Sequence, residues 1–438
     1  MEEAAPLTAD DLRDTWPMLS PEDRREGFEL LGRAEAEEFY LDLDGEDQLE
    51  VVRTRPEGQR ALWLRLLPPD DIVDVLQAAD EAERGWLLAL LDDFTREEVG
   101  ALLAYAEDDA GGLMSTRFVR VRPDMTVDEA IRYLRKQARE RVETLSYTYV
   151  LDAHQKLLGV VSFRELFAAP GEKRISDVMH TDLVTVPEHM DQEEVGRLFA
   201  QFDLVAVPVV DADGVMKGIV TIDDIVDVVE EEATEDIQKL GGMAALDAPY
   251  FQVSLWEMLR ARAGWLVVLM VGQMLTATAL DHYEADISKA VVLAIFLPLV
   301  VSCGGNSGSQ ASTLVTRALA VGDLRLRDWR RVLGRELSAS ALLGGLLATV
   351  GLLRILLWPD AAGHYGPFYA DIGVTVAASV FGVVVWGATM GAMLPLVLHR
   401  LGLDPASASA PFVATLSDVT GVLIYFTLAN TLLAGTLL

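Results

Sequence analysis

One carboxylate lies deep inside an apolar stretch of this sequence. Asp418 is the only acidic residue in the interior of five long hydrophobic segments. An ionisable group at that depth is costly, and it usually faces a transport pathway or a partner side chain. Ala414, Asp418 and Gly421 are spaced to share one face of a helix. This pattern predicts a cation site in a pore; the alternative is a structural salt bridge with Arg317 or Arg354.

A second polar cluster interrupts another hydrophobic segment. Pro298 is followed by Gly304, Gly305, Asn306 and, one turn later, Gln310. Proline and clustered glycines break helices, and irregular backbone is tolerated in a bilayer only when it is buried in protein or lines a water-filled path. Close helix packing through small residues would explain the glycines, but not the two amides. We therefore predict that Gly304, Gly305 and Asn306 line the pore.

The segments that carry these residues are long enough to cross a membrane, since a span takes about 20 apolar residues. The five predicted spans cover residues 264–280, 290–320, 338–358, 372–398 and 412–438. Basic residues flank alternate ends of the spans, which predicts a cytoplasmic N-terminus and an external C-terminus in the cytoplasmic membrane. Met1 is followed by two glutamates rather than a basic and then apolar run, so no cleavable signal peptide is expected.

The charge of the chain is confined to the part before these spans. Acidic and basic residues balance from Phe251 onward, so the whole net charge of −32 belongs to the preceding residues. Such an acidic half repels nucleic acid and anionic lipid and attracts cations, although solubility alone would also explain it. Cys303 is the one cysteine, which excludes a disulfide framework within the chain.

Residues 1–110 read as an all-α acidic domain. Helix starts are predicted at Ser20-Pro21 and at Pro69-Asp70, and a capping box at Thr95–Glu98. Gly111-Gly112 is the predicted boundary with the next domain.

An internal repeat follows over residues 111–236. Residues 113–116 match 178–181, which lie 65 positions later, and 159–162 match 218–221, which lie 59 positions later. The first copy therefore contains a six-residue insertion. Each copy reads as strand, helix, strand, turn, strand, helix, with a hairpin turn at Asp211–Gly214 in the second.

This repeat resembles a tandem CBS pair, an α+β regulatory module that often binds adenine nucleotides. The resemblance rests on the Gly-apolar-apolar-Ser/Thr end of each copy. It implies that Ser162, Arg164, Thr221 and Asp224 are candidate ATP contacts. The first copy has Glu165 in place of the aspartate, so one intact nucleotide site at most is expected. A module used only for dimerisation is the alternative.

An acidic helix ends the repeat, with a run of carboxylates after Asp223. Like charges this dense disfavour a helix, and bridging divalent cations would relieve their repulsion. A solvated acidic face is the ordinary explanation. We predict a connecting helix over 237–262 and an all-α pore domain of five spans over 263–438.

The order of parts resembles the MgtE-type magnesium channels, and the likeness extends over the whole chain. The motif around Pro298–Arg317 and that over Pro411–Gly421 carry it. The resemblance implies a homodimer with the pore between the second and fifth spans. Asp418 would bind the ion and Ala414 would contribute its backbone. Ala410 replaces an asparagine frequent in the family, which puts selectivity in question.

The resemblance also implies a magnesium sensor in the cytoplasmic half, where Mg²⁺ bound between domains closes the pore. Its matching positions are Asp70, Asp74, Glu193, Asp203, Asp224, Asp227, Glu232, Glu235 and Asp236. Mg²⁺ keeps several of its waters and binds through one or two carboxylates per site, so scattered acids on facing surfaces suit it.

Two other function classes remain open. One is a nucleotide-regulated transporter of another ion, such as Co²⁺, Mn²⁺ or an anion, although the only charge at a span centre is the acidic Asp418. The other is a membrane enzyme. No phosphate-binding loop, nucleophile elbow or histidine cluster with ligand spacing occurs in the sequence, so we predict that the protein is not an enzyme.

Overall fold

The computed structural model describes residues 8–137, 144, 146–246, 250 and 253–437. They form two compact units, one up to Glu231 and one from Glu232 onward.

The first unit opens with short helices capped mainly by acidic and hydroxyl side chains. Helices α1 to α8 span Ala9–Thr15, Pro21–Leu30, Arg33–Leu41, Gly45–Thr54, Glu57–Leu64, Pro69–Ala78, Glu81–Leu90 and Asp93–Leu102. The predicted starts at Ser20-Pro21 and Pro69 are confirmed. The capping box at Thr95 is wrong, because α8 begins one turn earlier: Asp92 is its N-cap, and the Thr95 N–H donates to it over 3.1 Å.

Helix α9 and two similar α+β copies complete this unit. Helix α9 spans Ala110–Leu113. The first copy contains β1 Arg120–Val121, α10 Val127–Gln137, β2 Tyr147–Leu151, β3 Leu157–Ser162 and α11 Phe163–Ala168. The second contains β4 Val186–Pro187, α12 Gln192–Phe202, β5 Ala206–Val210, β6 Met216–Thr221 and the start of α13 Ile222–Leu240, whose residues from Glu232 onward belong to the second unit. The predicted element order is confirmed in both copies. The predicted insertion lies between the matched stretches of the first copy, where residues 138–143 and 145 are outside the described part.

The segment that leads into each copy pairs with a strand of the other copy. In each copy the middle strand pairs parallel with the first and antiparallel with the third. Ser115, which leads into the first copy, bridges to Ile219 of the second, and His180, which leads into the second, bridges to Val160 of the first. A Cβ at Gly218 would lie 2.7 Å from the Ser115 carbonyl oxygen. The repeated glycine is thus required by the close approach of the other copy's backbone.

A common core joins the helical domain to the second copy. Phe28, Phe39 and Trp63 pack in the helical domain, and the same cluster of buried side chains continues to Val195 and Val220. The helical domain therefore packs on the second copy within this unit.

The second unit is built from long apolar helices. Helices α14 to α20 span Leu255–His282, Glu284–Lys289, Val291–Ala320, Trp329–Leu356, Ala361–Tyr365, Tyr369–Arg400 and Ala410–Leu432. Five helices of the described chain are long and apolar enough to cross a membrane, which agrees with the five predicted spans.

The predicted connecting helix differs from the structure. Residues 237–240 are the last turn of α13, and α14 begins at Leu255, after its N-cap Ser254, and continues without interruption into the first span. Residues 247–249, 251 and 252 lie outside the described part. The helix passes through Gly264 because one glycine costs it only about 1 kcal/mol.

The predicted break in the second span is wrong, since α16 is one helix that contains Pro298 and all the glycines. Proline removes a single donor, and neighbouring helices stabilise such a position in a membrane. The glycines serve contact between helices. A Cβ at Gly387 of α19 would lie 2.4 Å from the Gly304 carbonyl oxygen, and one at Gly391 would lie 2.1 Å from that of Gly308. The packing interpretation that competed with pore lining therefore explains Gly304 and Gly308.

This contact predicts that replacing a glycine by alanine lowers the thermal stability at one position in the membrane helices and not at another. Gly391→Ala places a methyl group against backbone, and overpacking of this kind costs about 1–3 kcal/mol. Among the described residues, nothing beyond the backbone of α17 itself lies within 4 Å of a Cβ at Gly345, so Gly345→Ala is the matched control. Thermal unfolding of the detergent-purified protein should show a lower midpoint for Gly391→Ala only. Equal midpoints would contradict the proposed role of the close contact.

Candidate cation pathway and regulatory acids

The predicted pore residues lie where α16 meets α20. A Cβ at Gly305 would lie 3.5 Å from the Ala414 Cα, and one at Gly304 would lie 2.7 Å from the Ser417 Oγ. Asp418 follows on the same helix and is half-buried in the single chain. The structure thus brings Gly304, Gly305 and Ala414 together, with Asp418 one turn beyond Ala414.

Asn306 lies on another face of α16. Ser302, Asn306 and Gln310 recur every four residues, so they form one polar stripe, and all three are exposed in the single chain. The Asn306 amide is at 3.5 Å from the Ser302 hydroxyl. A row of amides and hydroxyls in the middle of a span is unfavourable against lipid, so this face requires water or protein.

Asp418 has a partner that the sequence reasoning missed. The Gln273 Nε2 of α14 donates to the Asp418 Oδ2 over 2.6 Å. In the described part of the chain Asp418 forms no ion pair. The predicted alternative partner Arg354 stacks instead on Trp358, 3.6 Å from the ring centroid. Gln273 was missed because it is 145 positions away along the chain.

The end of α13 is attached to the segment that leads into α20 within the second unit. The Lys239 Nζ lies 2.7 Å from Asp404 and 2.5 Å from Glu235. Burial alone would lower the pKa of Lys239, but its hydrogen bonds to Asp404 and Glu235 raise it to about 12. Trp265 of α14 donates to the Ser409 hydroxyl over 3.2 Å, and Ser409 caps α20. This attachment connects the acidic helix to the helix that carries Asp418.

Ala410, the departure from the family pattern, lies in the first turn of α20. Its carbonyl oxygen accepts a hydrogen bond from the Ser309 hydroxyl of α16 over 3.0 Å. Ser312 donates likewise to the Ala408 carbonyl over 2.8 Å. Hydroxyl groups of α16 thus hold the start of α20 through its backbone, whichever side chain stands at position 410.

Regulatory candidates of the first unit converge between α6 and α13. Asp70 is 8% exposed and accepts from the Ser115 hydroxyl over 3.3 Å. Burial and then the charges of Asp70, Asp224, Glu107 and Glu231 together raise the pKa of Asp74 to about 7. The Asp74 side chain still reaches solvent, so water and salt weaken this repulsion.

Asp227 of α13 and Asp44 of the helical domain form a second group of neighbouring acids. The pKa of Asp227 is raised by burial and then by Glu230, Asp223 and Asp44, the last of which caps α4 in the helical domain. The acids Asp44, Glu107 and Glu231 were not predicted as site residues. Only Glu231 had a sequence signal, since it belongs to the acidic run.

The other predicted regulatory acids lie elsewhere or have local roles. Glu193 pairs with Arg197 over 2.6 Å, and Asp203 ends α12 with a φ of 51°. Glu235 pairs with Lys239, while Glu232 and Asp236 also lie on α13. Among the described residues no group of three or more His, Cys, Asp or Glu side chains is arranged to hold a metal ion directly.

The candidate nucleotide contacts are engaged in caps. The Ser162 hydroxyl donates to Glu165 over 2.8 Å, and Glu165 is paired with His180. The Thr221 hydroxyl donates to Asp224 over 2.7 Å at the start of α13. Arg164 is exposed. The two copies therefore repeat one cap, and only the first copy adds a histidine to it.

The fold and the half-buried carboxylate within a span define a multi-pass membrane protein with a regulatory CBS pair. Three family matches extend over most of the chain: "MgtE intracellular N domain" over 7–108, "CBS domain" over 110–172 and 175–231, and "Divalent cation transporter" over 297–428.

Full-length relatives agree with these matches. The chain is 42% identical to the magnesium transporter MgtE of Thermus thermophilus, over 97% of this chain and 92% of that protein. It is 31% identical to the magnesium transporter MgtE of Bacillus subtilis, over 89% of this chain and 84% of that protein. The crystal structure of the cytosolic domain of the Mg²⁺ channel MgtE in complex with ATP is 42% identical, with a TM-score of 0.47, and covers 50% of this chain and 90% of that one. The chain belongs to the MgtE family of magnesium transporters, which are not enzymes.

The raised pKa of Asp74 predicts a pH dependence of stability in Mg²⁺-free buffer. Between its ordinary value of 3.8 and about 7 the folded chain binds a proton that the unfolded chain does not. Stability should therefore fall as pH rises from about 5 to about 7. Asp74→Asn should reduce this fall, since it removes the charge. Thermal unfolding of both proteins across this range measures the difference, and identical slopes would contradict the prediction.

Proposed function

We propose that this chain is a Mg²⁺-selective channel of the cytoplasmic membrane, which works as a homodimer and closes when Mg²⁺ binds between its cytoplasmic acidic domains. The observation that carries the proposal is Asp418, a single half-buried carboxylate in mid-span, one turn from the Gly305–Ala414 contact. Its charge attracts a cation, and small residues next to it leave room for a hydrated one.

The polar stripe of α16 supports the homodimer. Ser302, Asn306 and Gln310 are exposed in the single chain, although they lie within a span. A second copy facing this stripe would remove it from lipid and enclose a polar path between the copies. α14 has no buried residue in the single chain, which agrees with contact to lipid or to a second copy.

Electrostatic repulsion supports the gating proposal. Asp70 and Asp74 of α6 oppose Asp224 and Glu231 of α13, and Asp44 opposes Asp227. Without a cation these charges favour separation of the helical domain from the CBS pair. Hydrated Mg²⁺ between them would favour the closed arrangement, so it shifts the population. The Lys239–Asp404 pair would carry this change to α20.

ATP is the candidate ligand of the second CBS copy. Thr221 and Asp224 supply the hydroxyl and carboxylate of the motif. In the first copy Glu165 is paired with His180, so a nucleotide would have to displace that pair.

Asp418→Asn keeps the size of the side chain and removes its charge, so Mg²⁺ uptake into proteoliposomes should fall by about tenfold or more. Asp323→Asn, in an exposed turn, is the control and should leave uptake unchanged. Uptake of Mg²⁺, Co²⁺ and Mn²⁺ is compared in the same vesicles. Normal uptake by Asp418→Asn would refute the pore assignment, and equal uptake of the three ions would refute Mg²⁺ selectivity.

Asp74→Asn combined with Asp227→Asn should leave the channel open at cytoplasmic Mg²⁺ concentrations that close the wild type. The loss of one charge from α6 and one from α13 weakens Mg²⁺ binding to the closed channel. The cytoplasmic Mg²⁺ concentration at half-closure should therefore rise by about tenfold. Uptake is measured with Mg²⁺ varied separately on the two sides. Asp124→Asn, an acid of the first CBS copy that pairs with Arg122, is the control. An unchanged midpoint would rule out the sensor assignment.

A further inference from the structure

Gln273 is an amide in an otherwise apolar part of α14. Leu266–Leu275 is apolar apart from this residue, whose side chain is exposed in the single chain although it lies within a span. Burial of an amide without a hydrogen-bond partner costs several kcal/mol in the least polar surroundings. Its partner in the described structure is the carboxylate of Asp418, at 2.6 Å. The two polar side chains of these neighbouring helices therefore satisfy each other.

The register of α14 on α20 is set by contacts on both sides of this pair. Trp265 packs on Phe412 with ring centroids 5.8 Å apart, and Tyr283 stacks on Phe426 at 4.9 Å. A Cβ at Gly272 would lie 2.7 Å from the Thr415 Cγ2. The glycine directly before Gln273 thus permits the close approach that brings the amide to Asp418.

The chemistry of the contact suits a transport site. A neutral amide donates to one carboxylate oxygen and leaves the negative charge of Asp418 intact, whereas an arginine or lysine would cancel it. The Asp418 Oδ2 is engaged by Gln273, so the Oδ1 remains for an ion or its water shell. Hydrogen bonds to charged groups are stronger than neutral ones, and they restrict the rotation of the carboxylate.

We propose that Gln273 is a positioning residue of the cation site, which holds Asp418 in the orientation that receives the transported ion. The proposal rests on the proposed pore role of Asp418. It assigns to the first span a part in ion recognition, in addition to the second and fifth.

Two substitutions remove the hydrogen bond in different ways. Gln273→Met keeps the length and removes the donor, while Gln273→Asn keeps the amide but is one methylene too short to reach. Both should raise the KM of Mg²⁺ uptake in proteoliposomes by about tenfold, the change that 1.4 kcal/mol produces, with a maximal rate within about twofold of wild type. Gln273→Lys should lower the maximal rate, because its charge neutralises Asp418.

Thr278→Val is the matched control on the same helix, since within the described chain the Thr278 hydroxyl donates only to the Met274 carbonyl of its own helix, at 3.0 Å. It should leave KM unchanged. Thermal unfolding identifies any variant that is misfolded. A KM within about twofold of wild type in folded Gln273→Met or Gln273→Asn would overturn the proposal. If Asp418→Asn abolishes uptake in that case, only the positioning role fails; if Asp418→Asn transports normally, the pore assignment fails as well.

Discussion

Contact between bare backbones is the constraint on which the membrane half depends. Gly387 and Gly391 of α19 lie directly against the carbonyl groups of Gly304 and Gly308 of α16. In a bilayer, helices gain nothing from hiding apolar side chains from lipid, so close packing and hydrogen bonds must hold them together. Because α16 is fixed in this way against α19, its polar stripe is held on one face. Its remaining glycine, Gly305, meets α20 beside the candidate ion site.

The first unit places repelling charges at a packed boundary, the one between the helical domain and the second CBS copy. Asp74 and Asp227 lie among other carboxylates, and the pKa of each is raised. Nearby, Asp70 is bound by Ser115 and the two domains share a hydrophobic core. Packing thus keeps the domains in reach of each other, and in the proposed gating the acids would make their closure dependent on a cation.

Local sequence patterns predicted much of this structure. Apolar length identified the five spans, and the 65-residue match identified the repeat, because both signals are contained in the chain itself. The break expected in α16 was wrong, since the local preference of proline and glycine was outweighed by contacts with α19. Gln273 and Glu107 were missed for a related reason: the amide and the acid acquire their roles only from residues distant in sequence.

The pairing of each leading segment with the other CBS copy has a consequence for the evolution of the module. Ser115 completes the sheet edge of the second copy, and His180 completes that of the first. Loss of either copy would leave the other with an uncovered strand and a glycine that nothing approaches. We therefore expect such a module to be duplicated, transferred or lost as a whole, and its two copies to evolve together even where, as at Glu165 and Asp224, their chemistry differs.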